Sequence, residues 1–305
     1  MKQQVVLIAG PTASGKSEAA IRVAEDLGGI IVNADAMQVY RDLRVITARP
    51  DLQDEQRVVH HLFGHVDAAE RCSVGRWLAD VAPVFQAAAR RSQPVVFVGG
   101  TGLYFKALCE GLSDMPEVPH AITGRWQRAL KQDGPWALYA VLMARDPEAA
   151  DMLEPSDGQR IVRALSVKEA TGRSIRHFQA TAARPLVGAD SRVLRVALLP
   201  EREVLYQRID ARFDAMVAGG AVDEVEALLA RKLDPDLPAM KAIGVPEIAM
   251  ALCSEISLQE AIEKAKTNSR RYAKRQMTWI RGQMADWPTL PTLPGSAALS
   301  KVNNS

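Results

Sequence analysis

The chain has 305 residues, 48% of them hydrophobic and 24% charged, which is enough apolar mass for a substantial core and leads us to expect one large domain plus a smaller one. Against 38 Lys and Arg stand 36 Asp and Glu, a net charge of +2, so bulk charge indicates no polyanion partner and only its local distribution can. The cysteines, Cys72, Cys109 and Cys253, fit neither a zinc spacing nor a disulfide framework and read as reduced thiols.

Residues 5–9 form a compact apolar run that stops at Gly10, the pattern of a buried parallel strand. The run is too short to span a membrane and lacks a signal-peptide cleavage region, so we expect a cytoplasmic protein with no membrane partner. Over residues 16–27 a helix is predicted from Ala19, Ala20, Val23, Ala24 and Leu27, with Gly28-Gly29 as its stop. Residues 30–32 open a second strand that delivers Asp35 at its carboxyl end. His60, His61 and His65 have no second ligand cluster nearby and are assigned to loop packing or to hydrogen bonding near the phosphate end, not to metal. A third strand, residues 95–98, runs into Gly99-Gly100-Thr101-Gly102. From about Leu112 to Gly188 the strand signal disappears, and helical patterns recur over 121–131, 136–143 and 159–171. A strand returns at 193–199. Helices follow over 203–218, 222–231 and 258–284, and residues 288–305 lack periodicity and read as a loose tail.

Gly10-Pro11-Thr12-Ala13-Ser14-Gly15-Lys16-Ser17 fits G-x-x-x-x-G-K-[ST] between a predicted strand and a predicted helix, the context that gives the motif physical meaning. Its backbone N–H groups and the helix N-terminus cradle phosphate oxygens, Lys16 adds a point charge, and the Ser17 hydroxyl can hold Mg²⁺. A diphosphate or triphosphate is expected here. The fold class that follows is α/β, a P-loop NTPase-like parallel sheet flanked by helices with an inserted all-helical domain. The expected bounds are 1–111 and 189–287 for the core with its C-terminal helices, 112–188 for the insertion and 288–305 for the tail.

A hydrolytic ATPase usually places a metal-holding acid at the end of a neighbouring strand. Here the strand at 95–98 ends in glycines, and the acid at a matching strand end is Asp35, free to order a metal, cap a helix or accept a proton. Group transfer fits this better than motor-type hydrolysis. Between Lys264 and Ala285 lie Lys264, Lys266, Arg270, Arg271, Lys274, Arg275 and Arg281 with no acid, a local charge suited to a phosphate backbone. Ala273, Met277, Ile280 and Met284 mark the inward face of that helix, while Tyr272 and Trp279 are left without a role.

Several stretches in chain order resemble the tRNA dimethylallyltransferase family, also called tRNA isopentenyltransferases or IPP transferases. They are the phosphate loop, Asn33-Ala34-Asp35-Ala36-Met37-Gln38-Val39-Tyr40-Arg41, Thr47-Ala48-Arg49-Pro50, His60-His61-Leu62, Gly99-Gly100-Thr101-Gly102-Leu103-Tyr104, Gln159-Arg160-Ile161-Val162-Arg163-Ala164-Leu165 and Gln276-Met277-Thr278-Trp279-Ile280-Arg281. The resemblance implies Mg²⁺-dependent transfer of a dimethylallyl group from dimethylallyl diphosphate to N6 of the adenosine 3′ to the anticodon. In that reading Asp35 is the general base, Thr101 orients the adenine and Arg212 assists the leaving diphosphate. It also implies a tRNA anticodon stem-loop as partner, contacted by Asp35, Ala36, Met37, Gln38, Thr101, Thr123, Gln159, Arg160, Ile161, Val162, Arg163, Lys241, Ala242, Ile243, Gly244, Lys274 and Arg275, with the target base drawn out of its stack. We expect a monomer. Three positions depart from the family pattern: Ala36 replaces a serine, Ile46 a glycine and Val245 an aromatic. The alternatives are a prenyltransferase on free adenine nucleotides, a P-loop small-molecule kinase and a non-catalytic RNA-binding protein.

Overall fold

A computed structural model describes residues 2–180, 184–188, 190–293 and 295–297. The chain divides into two compact units, one made of residues 1–109 and 186–305 and the other of residues 110–185.

In the first unit the elements in chain order are β1 (Gln3–Ala9), α1 (Lys16–Leu27), β2 (Ile30–Asn33), α2 (Leu52–Arg57), β3 (His60–His61), α3 (Val74–Arg90), β4 (Val95–Gly99) and α4 (Gly102–Glu110). The intervening segment carries α5 (His120–Arg145), α6 (Pro147–Ala150), α7 (Gly158–Thr171) and α8 (Ile175–Gln179). The chain then returns with β5 (Ser191–Leu198), α9 (Arg202–Ala218), α10 (Ala221–Ala230), a 3₁₀ turn at Ala239–Lys241, α11 (Val245–Leu252), α12 (Leu258–Gln283) and β6 (Thr289–Leu290). The strands form one parallel sheet in the order β3-β2-β4-β1-β5-β6.

Both faces of the sheet are covered, which explains why β1 reads as an unbroken apolar run. Val5, Leu7 and Ala9 enter one core with Trp77, Phe97 and Tyr104, while Val6 and Ile8 enter the other with Ala20, Val23 and Val98. The order β2-β4-β1 sets three carboxyl ends side by side, in the crevice where open α/β sheets bind ligands. Those ends carry Asp35, the Gly99-Gly100-Thr101 turn and the phosphate loop.

Residues 288–293 are not the loose tail expected from composition. Thr289 and Leu290 pair with Ala197 and Leu198, the Ala197 N–H donates to the Pro288 carbonyl at 2.9 Å, and Leu293 is buried against the second core. An otherwise open edge of β5 supplies the hydrogen bonds that the tail lacks within itself. Residues 298–305 lie outside the described residues. The unit boundaries also differ by a few residues from those expected, because Leu186 and Val187 pack on the main core. His60 and His61, expected in a loop, form β3 by pairing with Ile31 and Val32.

The second unit has its own core of Leu138, Leu142, Ala149, Ala150, Ile161, Val162, Ala164 and Leu165. Gly134, at φ 79°, breaks α5 just before Pro135, whose ring cannot continue the helix hydrogen bonding. Asp157 caps α7 by accepting the Arg160 N–H, and Gly172 ends that helix in the left-handed conformation. Ile161 and Val162 were expected at an RNA surface. Both are buried in this core, because they lie on the inward stripe of α7, while Gln159, Arg160 and Arg163 on the same turns are exposed. Thr123 is half-buried in the first turn of α5.

Candidate active site

The phosphate loop leaves β1 at Gly10 and enters α1 at Lys16. Ala13 and Gly15 have positive φ, 63° and 86°, the curl that turns successive N–H groups inward. Lys16 Nζ donates to the Pro11 carbonyl at 3.0 Å, and Ser17 is exposed on the first turn of α1. The Ser14 side chain is buried and its hydroxyl has no partner among the described residues. Such an orphaned polar group inside the loop suits a phosphate oxygen. Burial is the main influence lowering Lys16 to about 8, with Asp35 pulling it back up and Arg212 pushing it further down. These three charges therefore share one electrostatic environment.

Asp35 sits just past β2 and is fixed by its neighbours. The fully buried Asn33 accepts the Asp35 N–H at 2.8 Å and donates to both the Asp35 and Leu62 carbonyls at 3.0 Å. One Asp35 carboxylate oxygen accepts the Met37 N–H at 2.9 Å. Thr101 accepts the Ala36 N–H at 2.9 Å through its hydroxyl, so it shapes the Asp35 turn and does not line the cavity. A Cβ at Gly99 would overlap the Ala34 carbonyl, which accounts for glycine at that close approach of β4 to the turn.

A cavity of about 290 Å³ opens in front of these groups, close to the lower size limit of small-molecule sites. Thr12, Asp35 and Arg212 lie on its polar side, and Met37, Ile46, Ile209, Phe213, Met216 and Ile243 supply an apolar wall. Arg212, on α9, donates to the Thr12 hydroxyl, and burial lowers its pKa while Asp35 raises it. Ile46, which stands where the family pattern has glycine, fills part of the wall and packs beside Gly244. Ala36 also lines the cavity.

The expected RNA-contact residues divide. Lys241, Ala242 and Ile243 border the cavity, with Lys241 paired to Asp236 at 2.9 Å, whereas Gly244 and Val245 are buried behind them. Gln38 spends its amide donors on the Thr47 and Ala48 carbonyls, both at 2.9 Å, and so braces the loop without entering the cavity. On α12, Lys274 and Arg275 are exposed and Arg275 also lies over the Tyr272 ring, 5.6 Å from its centroid. Two of the seven basic residues are committed elsewhere: Lys266 pairs with Asp214 and Glu263, and Arg270 with Asp210. The basic surface is therefore smaller than the charge count suggested.

Sequence reading left two site residues unassigned. Tyr272 lines the cavity, and burial first and Asp35 second raise its phenol above the ordinary range, which keeps it protonated. Gln276, one turn further along α12, is buried and reaches the phosphate loop. Their i, i+4 spacing on one face was the available signal.

Fold and site together define a P-loop transferase, in which a phosphate cradle and a carboxylate face one cavity. The family model described as IPP transferase matches residues 38–283, and one described as isopentenyl transferase matches residues 3–61. The tRNA dimethylallyltransferase of Nitrobacter hamburgensis is 52% identical over 297 residues, covering 97% of this chain and 93% of its own. That of Chelativorans sp. is 50% identical over 292 residues, covering 95% and 100%. Among solved structures, the full-length tRNA isopentenylpyrophosphate transferase of Bacillus halodurans has a TM-score of 0.68 at 33% identity, covering 95% of this chain and 90% of that one. A eukaryotic dimethylallyltransferase acting on tRNA has a TM-score of 0.76 at 29% identity, covering 94% and 73%. The chain belongs to the IPP transferase family. No helix among the described residues is long and apolar enough to cross a membrane.

Proposed function

We propose that this enzyme transfers the dimethylallyl group of dimethylallyl diphosphate to N6 of the adenosine at position 37, 3′ to the anticodon, in tRNAs reading codons that begin with U. The observation that carries the reading is the placement of Asp35, Arg212 and Thr12 around one cavity, with Lys16 electrostatically coupled to two of them.

In this reaction N6 attacks the allylic carbon of the donor, the carbon–oxygen bond to diphosphate breaks, and diphosphate leaves with the electron pair. Lys16, Arg212 and the loop N–H groups meet the growing negative charge, which is where preorganised donors lower a barrier. Asp35 takes the N6 proton as the new carbon–nitrogen bond forms, giving N6-isopentenyladenosine. Thr101 and Asn33 act on the chemistry by fixing the backbone around Asp35. The apolar wall from Met37 to Ile243 suits the five-carbon chain.

The loop residues fit Mg²⁺, which the Ser17 hydroxyl and the donor's phosphate oxygens would hold. No group of three or more His, Cys, Asp or Glu among the described residues is placed to hold a metal. When bound it would neutralise charge on the leaving diphosphate. Exposed Lys274 and Arg275 on the first unit, and Gln159, Arg160 and Arg163 on the helical unit, are suited to RNA contacts.

The test offers labelled dimethylallyl diphosphate and Mg²⁺ to an anticodon stem-loop RNA and to free AMP, with phosphate transfer from ATP assayed in parallel. Label on an anticodon stem-loop RNA is the expected result. Equal labelling of free AMP would favour a nucleotide prenyltransferase, and phosphate transfer from ATP without prenyl transfer would favour a kinase.

A further inference from the structure

Gln276 lies on the inner face of α12 and is 6% exposed, between Ala273 and Ile280. Its amide makes two hydrogen bonds over long sequence separations. Oε1 accepts the Thr12 N–H at 2.9 Å, and Nε2 donates to the Gly100 carbonyl at 3.0 Å. Thr12 belongs to the phosphate loop and is also held by Arg212. Gly100 immediately precedes Thr101, whose hydroxyl holds the Ala36 N–H beside Asp35. One planar amide thus ties the donor cradle to the turn that carries the proton acceptor.

The two ends of the bridge need opposite chemistry, an acceptor toward Thr12 and a donor toward Gly100, which an amide supplies and a carboxylate or hydrocarbon of similar size does not. The approach is close enough that a Cβ at residue 100 would overlap Gln276 Nε2. Glycine at this position is therefore explained by the bridge as well as by the turn. Burying an amide costs free energy unless both its polar ends are satisfied, and here both are.

We propose that Gln276 is a positioning residue that sets the spacing between the phosphate cradle and the Asp35 turn. The role rests on the transfer reaction proposed above. Gln276 does not line the cavity and neighbours the Tyr272 phenol that does; it acts through Thr12 on one side and through Gly100 and Thr101 on the other. The β1–β4 ladder and the Gly10 N–H to Gly99 carbonyl bond still join the two halves without it, so losing it loosens their spacing past the strand ends and does not separate them.

The experiment compares Gln276→Met, which removes both hydrogen bonds at similar volume, with Gln276→Glu, which keeps the acceptor but sets an oxygen against the Gly100 carbonyl. Four quantities are measured: pyrophosphate affinity by calorimetry, affinity for an anticodon stem-loop RNA, single-turnover transfer rate with both substrates saturating, and Tm. A displacement near 1 Å between reacting partners can cost about 100-fold, so the single-turnover rate is expected to fall by roughly 10- to 100-fold. The two affinities should change far less than the rate, and Gln276→Glu should be at least as slow as Gln276→Met. An unchanged rate in either folded variant overturns the role. So does a rate loss matched by an equal loss of pyrophosphate affinity, which marks an ordinary contact of the loop. Wild-type protein that transfers no prenyl group overturns the reaction and this role with it, whereas wild-type transfer with unaffected variants overturns this role alone.

Discussion

Replacing Asn33 by alanine removes the clamp on Asp35, and its cost follows from the hydrogen bonds it breaks. The side chain is fully buried and serves three backbone groups: the Asp35 N–H, the Asp35 carbonyl and the Leu62 carbonyl. Each bond contributes about 1 kcal/mol net, with the orphaned buried N–H at the upper end, so the total is about 3 kcal/mol. For a domain of roughly 150–250 residues each kcal/mol shifts Tm by about 2–4 °C, which gives an expected fall of about 6–12 °C. Thermal unfolding followed by circular dichroism measures this directly. Asn33→Asp is the companion variant, because it keeps the acceptor for the Asp35 N–H and replaces the donor facing two carbonyls with an oxygen. A Tm within about 2 °C of wild type for both variants would refute the claim that these bonds hold the turn, since it corresponds to no more than about 1 kcal/mol.

Diphosphate affinity should depend on Lys16 ionisation. Lys16 sits at about 8 in the free protein, and a bound diphosphate favours its charged form and raises that value. The ratio of wild-type to Lys16→Met pyrophosphate affinity, in which the ligand's own titration cancels, is therefore expected to hold steady below that pH and to fall above it by up to about tenfold per pH unit, in titrations at constant ionic strength. Lys274→Ala and Arg275→Ala should each weaken stem-loop RNA binding and reduce its log–log salt slope by about 0.7–0.9, read from binding isotherms at several salt concentrations. In the helical unit, Ile161→Ala should lower stability by about 2–5 kcal/mol because the side chain is fully buried. Arg160→Ala, at an exposed position, should stay within about 0.5 kcal/mol, and urea unfolding distinguishes the two.

The parts of this molecule written in local sequence were legible without coordinates. The loop from Gly10 to Ser17 combines a motif with a strand before it and a helix after it, and Asp35 follows an apolar run, so both were placed at sheet ends from pattern alone. What could not be read depends on partners distant in the chain. Gln276 opens a stretch that resembles the family, but its role stays hidden until Thr12, 264 residues away, is seen against its amide. The pairing of Thr289 and Leu290 with β5 was hidden for the same reason, because Pro and Gly punctuation masks a two-residue strand whose hydrogen bonds come from elsewhere. Ile161 and Val162 were misplaced by treating a contiguous stretch as one surface; the turn of the helix sends them inward and leaves Arg160 and Arg163 out. Charge counting overestimated the basic face of α12, since Lys266 and Arg270 meet acids on α9 that only the fold brings near.

The transfer chemistry depends on Asp35 receiving the proton from the attacking amine while the diphosphate is held by other groups. Single-turnover transfer to an anticodon stem-loop RNA by Asp35→Asn, with donor affinity measured in parallel, tests this most directly. General-base removal is expected to slow the step by about 10²- to 10⁴-fold while donor affinity changes little. Wild-type turnover by Asp35→Asn, or a loss seen only in donor affinity, would contradict the account.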